Sequence, residues 1–237
     1  MNHVFYETFT RHNHAEGIKA HSTHYCPGCG HGLIHKFLSQ SIAELGIQDR
    51  SVAISPVGCS VFMYYYMNVG NLQAAHGRAP VVALGQKVAR PDSIVVSYQG
   101  DGDLASIGLA EIISVAQMGL PITVIFVNNS TYGMTGGQMA PTTLIGQKTA
   151  TCPDGRTPSM GQPMKVAEII AGLDGPVYVE RVALFDAKNR MRAKKAIKKA
   201  LEVQMAGLGF TFIEVVSECP VQLKLDPVKA SEWVQEK

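Results

Sequence analysis

Two short β-branched runs with one amphipathic stretch between them limit this chain's fold more than any other feature. Residues 93–98 (SIVVSY) and 122–127 (ITVIFV) are apolar almost throughout rather than alternating, as strands covered on both faces must be. Between them Leu104, Ile107, Leu109, Ile112, Ile113 and Ala116 recur at helical spacing, which predicts one helix over residues 104–118. Strand, helix and strand in such a short span make a βαβ unit, hence a parallel sheet. Residues 177–182, a basic helix over 186–205 and residues 210–216 repeat the pattern. The expected fold class is α/β, a doubly wound, mostly parallel sheet.

Earlier in the chain, Leu33, Ile34, Phe37, Leu38, Ile42 and Leu45 form a helical stripe closed by Gly46. A short strand follows over 51–56, then a Gly-Cys-Ser turn at 58–60, then a helix over 79–90 ended by Pro91. Residues 1–24 are polar and rich in histidine (His3, His12, His14, His21, His24) and are read as a surface arm. Residues 25–237 are read as a single domain, without repeats or low-complexity linkers.

Composition narrows the function classes. A net charge of +2 gives no case for nucleic-acid binding, and 46% hydrophobic residues supply an ample core. No apolar run approaches the roughly 18 residues of a membrane helix, and the N-terminus lacks the basic start and apolar stretch of a signal peptide. A cytoplasmic location is the expectation. The odd count of five cysteines, without a secretion signal, argues against a disulfide framework and leaves thiols for metal ligation or packing.

The chemistry concentrates where the two strands end. The first delivers Gly100-Asp101-Gly102-Asp103 to the carboxyl edge of the sheet, just before a helix. Ligands of open α/β sheets bind at that edge. The glycines allow a tight turn and close backbone approach, and the helix N-terminus offers free N–H groups to a diphosphate. Two aspartates would repel such a ligand unless a hard divalent cation stands between them, and Mg²⁺ suits that shared oxygen shell. The second strand ends in Asn128-Asn129-Ser130-Thr131, where an amide oxygen can complete the shell. Either motif alone reads more readily as a surface turn; their placement on adjacent strand ends favours the site.

Cys26-Pro27-Gly28-Cys29 is a tight C-x-x-C turn of the kind used by iron–sulfur clusters, by zinc and by redox dithiols. Zinc would need further ligands, for which His31 and His35 are the candidates. Unliganded packing cysteines are the bland alternative.

Gly-Asp-Gly, followed after residues 103–127 by Asn-Asn, resembles the diphosphate-binding motif of thiamine-diphosphate enzymes. The resemblance implies that Asp101 and Asn129 give side-chain oxygens to Mg²⁺ and Thr131 its carbonyl. Gly100, Gly102, Asp103 and Thr135 would line the diphosphate. More specifically, HYCPGCGHG, SPVGCS, AAHGRAPVVALG and TYGMTGGQMAPTT together resemble the β subunit of 2-oxoacid:ferredoxin oxidoreductases, over most of residues 20–220. This implies a [4Fe–4S] cluster held by Cys26, Cys29, Cys59 and Cys219, with Cys152 a packing residue. It also implies that Gly58, Ser60 and His76 stand near the diphosphate; a neutral core histidine is the bland alternative for His76.

The implied activity is oxidative decarboxylation of a 2-oxo acid, with coenzyme A taking the acyl group and ferredoxin the electrons. The implied partners are an α subunit completing the active site, and γ and ferredoxin-like δ subunits. The glutamate that activates the cofactor is expected on the partner; Glu111, in mid-helix, reads as structural. The style of CPGCGHG and YGMTGGQMAPTT resembles 2-oxoisovalerate or 2-oxoglutarate members more than pyruvate ones. The chain departs from longer relatives in ending soon after Cys219. Rival readings are a non-oxidative thiamine-dependent decarboxylase or synthase subunit and a zinc-stabilised binding module. The basic helix reads as a solvated face, or as a dock for an acidic ferredoxin.

Overall fold

The computed structural model describes Val4, Phe5 and residues 23–237. Six strands, β1 (Ser51–Ser55), β2 (Gly70–Gln73), β3 (Ile94–Gly100), β4 (Thr123–Asn128), β7 (Pro176–Ala183) and β8 (Phe210–Val216), form one sheet in the order β2-β1-β3-β4-β8-β7. Every pairing in it is parallel. A two-stranded antiparallel ribbon, β5 (Thr131–Tyr132) and β6 (Gln138–Met139), lies outside it.

Helices cover both faces, so two cores form. On one side α1 (His31–Glu44) and α6 (Ala187–Met205) bury Ile34, Leu38, Ile197 and Leu201 against Val96, Ile213 and Val215. On the other, α3 (Ala79–Ala89), α4 (Leu109–Met118) and α5 (Val166–Ala171) bury Ala83, Ile112 and Ile170 against Val95, Phe126 and Phe212. Alternate residues of a central strand therefore feed opposite cores, which is why the strands read as unbroken apolar runs. The doubly wound parallel reading holds.

Local signals act where the sequence carries them. Gly46 follows α1 at φ +64° and Gly119 ends α4 at φ +69°, both in the left-handed region that a Cβ disfavours. Asp186 caps α6 by accepting the Asn189 N–H at 2.6 Å.

One expectation needs correction. The stripe over 104–118 is two pieces: a wide turn over Asp103–Ile107 and then α4. The Asp103 carbonyl takes the Gly108 N–H at 2.9 Å, five residues on, giving a π-type turn. A Cβ on Gly108 would lie 2.8 Å from the Gly77 carbonyl, so the backbones meet there, a tertiary constraint that periodicity cannot register.

Periodicity also gives no notice of β2, of α5, or of α2 (Met63–Tyr66), α7 (Pro220–Leu223) and α8 (Pro227–Glu236). Most are too short for a periodic stripe. Of the histidine-rich arm, His3, His12, His14 and His21 lie outside the described residues. Val4 is buried, its carbonyl accepting the Asn68 N–H at 2.8 Å, and His24 stacks on Phe62.

Candidate cofactor site

The strand order reverses between β1's two neighbours, β2 and β3, and a crevice opens at the carboxyl end of such a switch point. The loops after β1, β2, β3 and β4 line a cleft of about 150 Å³ there. Gly58, Ser60, His76, Gly100, Asp101, Gly102, Asp103, Asn129, Thr131 and Thr135 all face it, together with Cys59. Residues far apart in sequence thus converge because four parallel strands, β2, β1, β3 and β4, end side by side.

Asp101 is buried at the centre. Its Oδ1 accepts the Gly102 N–H at 2.8 Å, and its Oδ2 accepts the Thr131 N–H at 3.1 Å and the Thr142 hydroxyl at 2.8 Å. Burial pushes its carboxyl up to about 6 despite those three donors. Asn129 Oδ1 accepts from the same Thr131 N–H at 3.3 Å, so the oxygens of both strand ends crowd one point. A divalent cation suits this donor set: hard oxygens, one of them an anion whose charge burial disfavours.

Asp103 faces the cleft differently. Its Oδ1 accepts from His76 Nδ1 and from the Gly77 N–H at 2.8 Å, and its Oδ2 accepts from Gln99 Nε2 at 2.5 Å. A carboxylate only accepts, so Nδ1 carries the proton and Nε2 is the ring atom left for a ligand. Gly102 permits no side chain, since a Cβ would meet the Tyr132 ring at 2.3 Å. Thr135 is exposed at the rim, its hydroxyl donating to Gln138 Oε1 at 2.5 Å.

The cysteines gather beside the cleft. Cys26 and Cys29 close a tight turn, the Cys29 N–H donating to the Cys26 carbonyl at 3.0 Å. A Cβ on Gly133 would stand 3.5 Å from Cys219 Sγ, 3.6 Å from Cys59 Sγ and 3.8 Å from Asn129 Nδ2, so one glycine separates the cysteine group from the Asp101–Asn129 group. Burial pushes the Cys29 thiol up to about 12 and Cys59 up to about 11, and Cys219 upward too, with neighbouring cysteines adding to each rise. Such thiols ionise only against a strong positive charge, which iron supplies. Among the described residues no three of His, Cys, Asp and Glu are close enough to hold a single metal ion. A cluster, by giving each thiolate its own iron, accepts wider spacing than a zinc ion with ligands at about 2.3 Å.

Of the two candidate zinc histidines, His31 lines the cleft and His35 does not. His31 Nδ1 bonds the Tyr98 hydroxyl at 2.6 Å, and His35 is fully buried among aromatic rings. Cys152 is buried away from the group, its thiol 3.5 Å from Met160 Sδ. Glu111 pairs with Arg78, in keeping with a structural role. Thr142, Gln99, Tyr132 and Gly133 were missed as site residues; Tyr132, Gly133 and Thr142 sit in the glycine-rich segment after Asn129, but no spacing rule points to them.

Among families of known proteins, the thiamine pyrophosphate enzyme C-terminal TPP-binding domain matches residues 56–215, so the cleft belongs to a thiamine-diphosphate-binding fold. The chain is 55% identical over 216 residues to the ketoisovalerate oxidoreductase subunit VorA of Methanothermobacter thermautotrophicus, covering 91% of this chain but only 45% of that protein. It is 40% identical to the 2-oxoglutarate synthase subunit KorB of Methanocaldococcus jannaschii, covering 83% of this chain and 69% of the relative. The solved 2-oxoglutarate:ferredoxin oxidoreductase from Magnetococcus marinus, with 2-oxoglutarate, coenzyme A and succinyl-CoA bound, superposes with a TM-score of 0.72 at 31% identity, over 90% of this chain and 71% of that one. The chain belongs to the thiamine-diphosphate-binding, β-type subunits of the 2-oxoacid:ferredoxin oxidoreductases. Among the described residues no helix is long and apolar enough to cross a membrane.

Proposed function

We propose that this chain carries both thiamine diphosphate with Mg²⁺ and a [4Fe–4S] cluster in an enzyme that oxidatively decarboxylates a 2-oxo acid to an acyl-CoA and CO₂, passing two electrons singly to ferredoxin. One observation carries the reading: Gly133 lies against Cys59, Cys219 and Asn129, so a cluster on these cysteines and a diphosphate cofactor at Asn129 would be a single residue's width apart. Bound thiamine diphosphate supplies the electron sink that a 2-oxo acid lacks when CO₂ departs. This chain's residues hold and orient it. Asp101, Asn129 and the Thr131 carbonyl take the Mg²⁺; Gly102 lets the diphosphate approach; His76, steadied by Asp103, and Ser60 line it. Cys26, Cys29, Cys59 and Cys219 hold the cluster.

The substrate is a branched 2-oxo acid of the 2-oxoisovalerate type, supported by 55% identity to a ketoisovalerate oxidoreductase subunit against 40% to a 2-oxoglutarate synthase subunit. An α subunit supplies the activating acid and part of the substrate pocket, γ and ferredoxin-like δ subunits complete the assembly, and the setting is cytoplasmic. Anaerobic purification, with iron, sulfide and thiamine quantified on one sample, tests this. The expected result is four irons, four sulfides and one thiamine per chain. Colourless, iron-free protein that binds thiamine diphosphate points instead to a non-oxidative enzyme, and zinc without thiamine to a binding module.

A further inference from the structure

Strand β8 carries a carboxylate deep in the sheet. Glu214 is 1% exposed and stands beside Phe126 in the β4–β8 ladder. Its Oε2 accepts from Arg181 Nε at 2.9 Å and from the Ala167 N–H at 3.3 Å, and its Oε1 accepts from Asn128 Nδ2 at 2.7 Å. Arg181 continues outward to Glu168, which it grips through both terminal nitrogens. Neutralising Arg181 explains half of this arrangement. The contact to Asn128 does something else.

A carboxylate offers only acceptors, so it draws the NH₂ end of the Asn128 amide toward itself and turns the carbonyl end away. That carbonyl, Oδ1, accepts the Ser130 N–H at 3.2 Å. Ser130 is one of two described non-glycine residues in the left-handed region, at φ +59°. A residue with a Cβ stays there only where its surroundings hold it. The Thr143 hydroxyl holds the far side, donating to the Ser130 carbonyl at 2.7 Å. Ser130 is the hinge between Asn129 and Thr131, so its backbone angle decides where the Asn129 amide and the Thr131 carbonyl aim.

We propose that Glu214 is a positioning residue for the magnesium site: by fixing which way round the Asn128 amide sits, it holds the Ser130 turn that presents Asn129 and Thr131 to the ion beside Asp101. The inference rests on the metal reading given above.

The polarity of the bonds supplies the test. In Glu214→Gln the new amide oxygen is claimed by Arg181 and Ala167, so its NH₂ faces Asn128. Asn128 must then flip and bring its own NH₂ against the Ser130 N–H. In Asn128→Asp two carboxylates collide. The double variant Glu214→Gln/Asn128→Asp restores every donor to an acceptor, because the carboxylate introduced on β4 accepts from both sides. Each variant is made in the full protein, assembled with its partner subunits, and Glu168→Gln serves as a control that loosens Arg181 from its outer end. The readouts are the Mg²⁺ concentration for half-maximal thiamine diphosphate uptake, the iron content and Tm.

Glu214→Gln and Asn128→Asp are each expected to raise the Mg²⁺ requirement roughly tenfold. The double variant is expected to return to near the wild-type value, and Glu168→Gln to lower Tm without moving the Mg²⁺ requirement. Iron content is expected to stay constant throughout. An unchanged Mg²⁺ requirement in Glu214→Gln, or a double variant no better than the single, overturns the proposal. Wild-type protein that takes up thiamine diphosphate with no divalent ion overturns the metal reading, and this inference with it, a result distinct from a defect confined to the variants.

Discussion

Asp103 grips His76 across 26 intervening residues, its Oδ1 taking the imidazole Nδ1 while the Gly77 N–H and Gln99 Nε2 hold the carboxylate in place. The aspartate closest in sequence to the diphosphate motif therefore works through a neighbour. Three donors already occupy its oxygens, and the surface it offers the cleft is the edge of a fixed imidazole.

Replacing Asp103 with Asn keeps the shape and surrenders the carboxylate, so the His76 ring loses its fixed tautomer and orientation. Thiamine diphosphate affinity is expected to fall about 10- to 100-fold, the range for losing a group that orients a ligand-binding histidine. Calorimetric titration at saturating Mg²⁺ measures it. Iron content should not change, because Asp103 touches none of the cysteines.

The proposed cluster makes Cys26, Cys29, Cys59 and Cys219 ligands and Cys152 a bystander. Cys59→Ser and Cys219→Ser are each expected to strip most of the iron and the brown absorbance, while Cys152→Ser leaves both intact. Iron and sulfide assays on anaerobically purified variants check this. Equal iron loss in Cys152→Ser would assign the ligand set wrongly.

His35 gives the fold an acid limit. Burial holds it well below its ordinary value of 6.5, and neither ring nitrogen has a hydrogen-bond partner among the described residues. A histidine whose folded pKa is depressed stays neutral in the folded chain but protonates in the unfolded one. Its contribution to stability is present above pH 6.5 and is lost as the pH falls toward the folded pKa. Chemical denaturation between about pH 7.5 and about 5 is expected to show stability falling with pH. His35→Phe, which keeps the aromatic contacts, is expected to flatten that slope.

Lys194 and Lys198 on α6 are both paired with Glu44 at 2.9 Å, and Lys199 lies over the Tyr178 ring. Lys188, Arg192 and Lys195 remain exposed on the same helix, three and four residues apart and so on one stripe. Reversing these three charges is expected to slow the reduction of an acidic ferredoxin about tenfold at low salt and to flatten its salt dependence. Stopped-flow reduction rates across an ionic-strength series decide it; rates insensitive to salt in the wild type would leave the stripe a solvated face.

Much of this protein is written in short-range patterns. The β-branched runs at β3 and β4 and the stripes of α1 and α6 follow from which side chains water rejects at a period of two or 3.6, so they are legible without coordinates. Gly100-Asp101-Gly102-Asp103 and Asn128-Asn129 are legible too, because strand ends in parallel sheets are where ligands bind. What the chain alone did not reveal depends on contacts between distant segments. The π-type turn after Asp103 exists because Gly108 meets Gly77; Thr142 reaches Asp101 from the far end of a loop; Asp103 turns to His76; Gly133 lies beside the cysteines that follow β1 and β8, with Asn129 next to it. The sequence determined the central strands, the long helices packed on them and the residue types for the chemistry. Only the tertiary structure decided which atoms face one another, because hydrogen bonds and close contacts are set by distance in space, which periodicity along the chain does not encode.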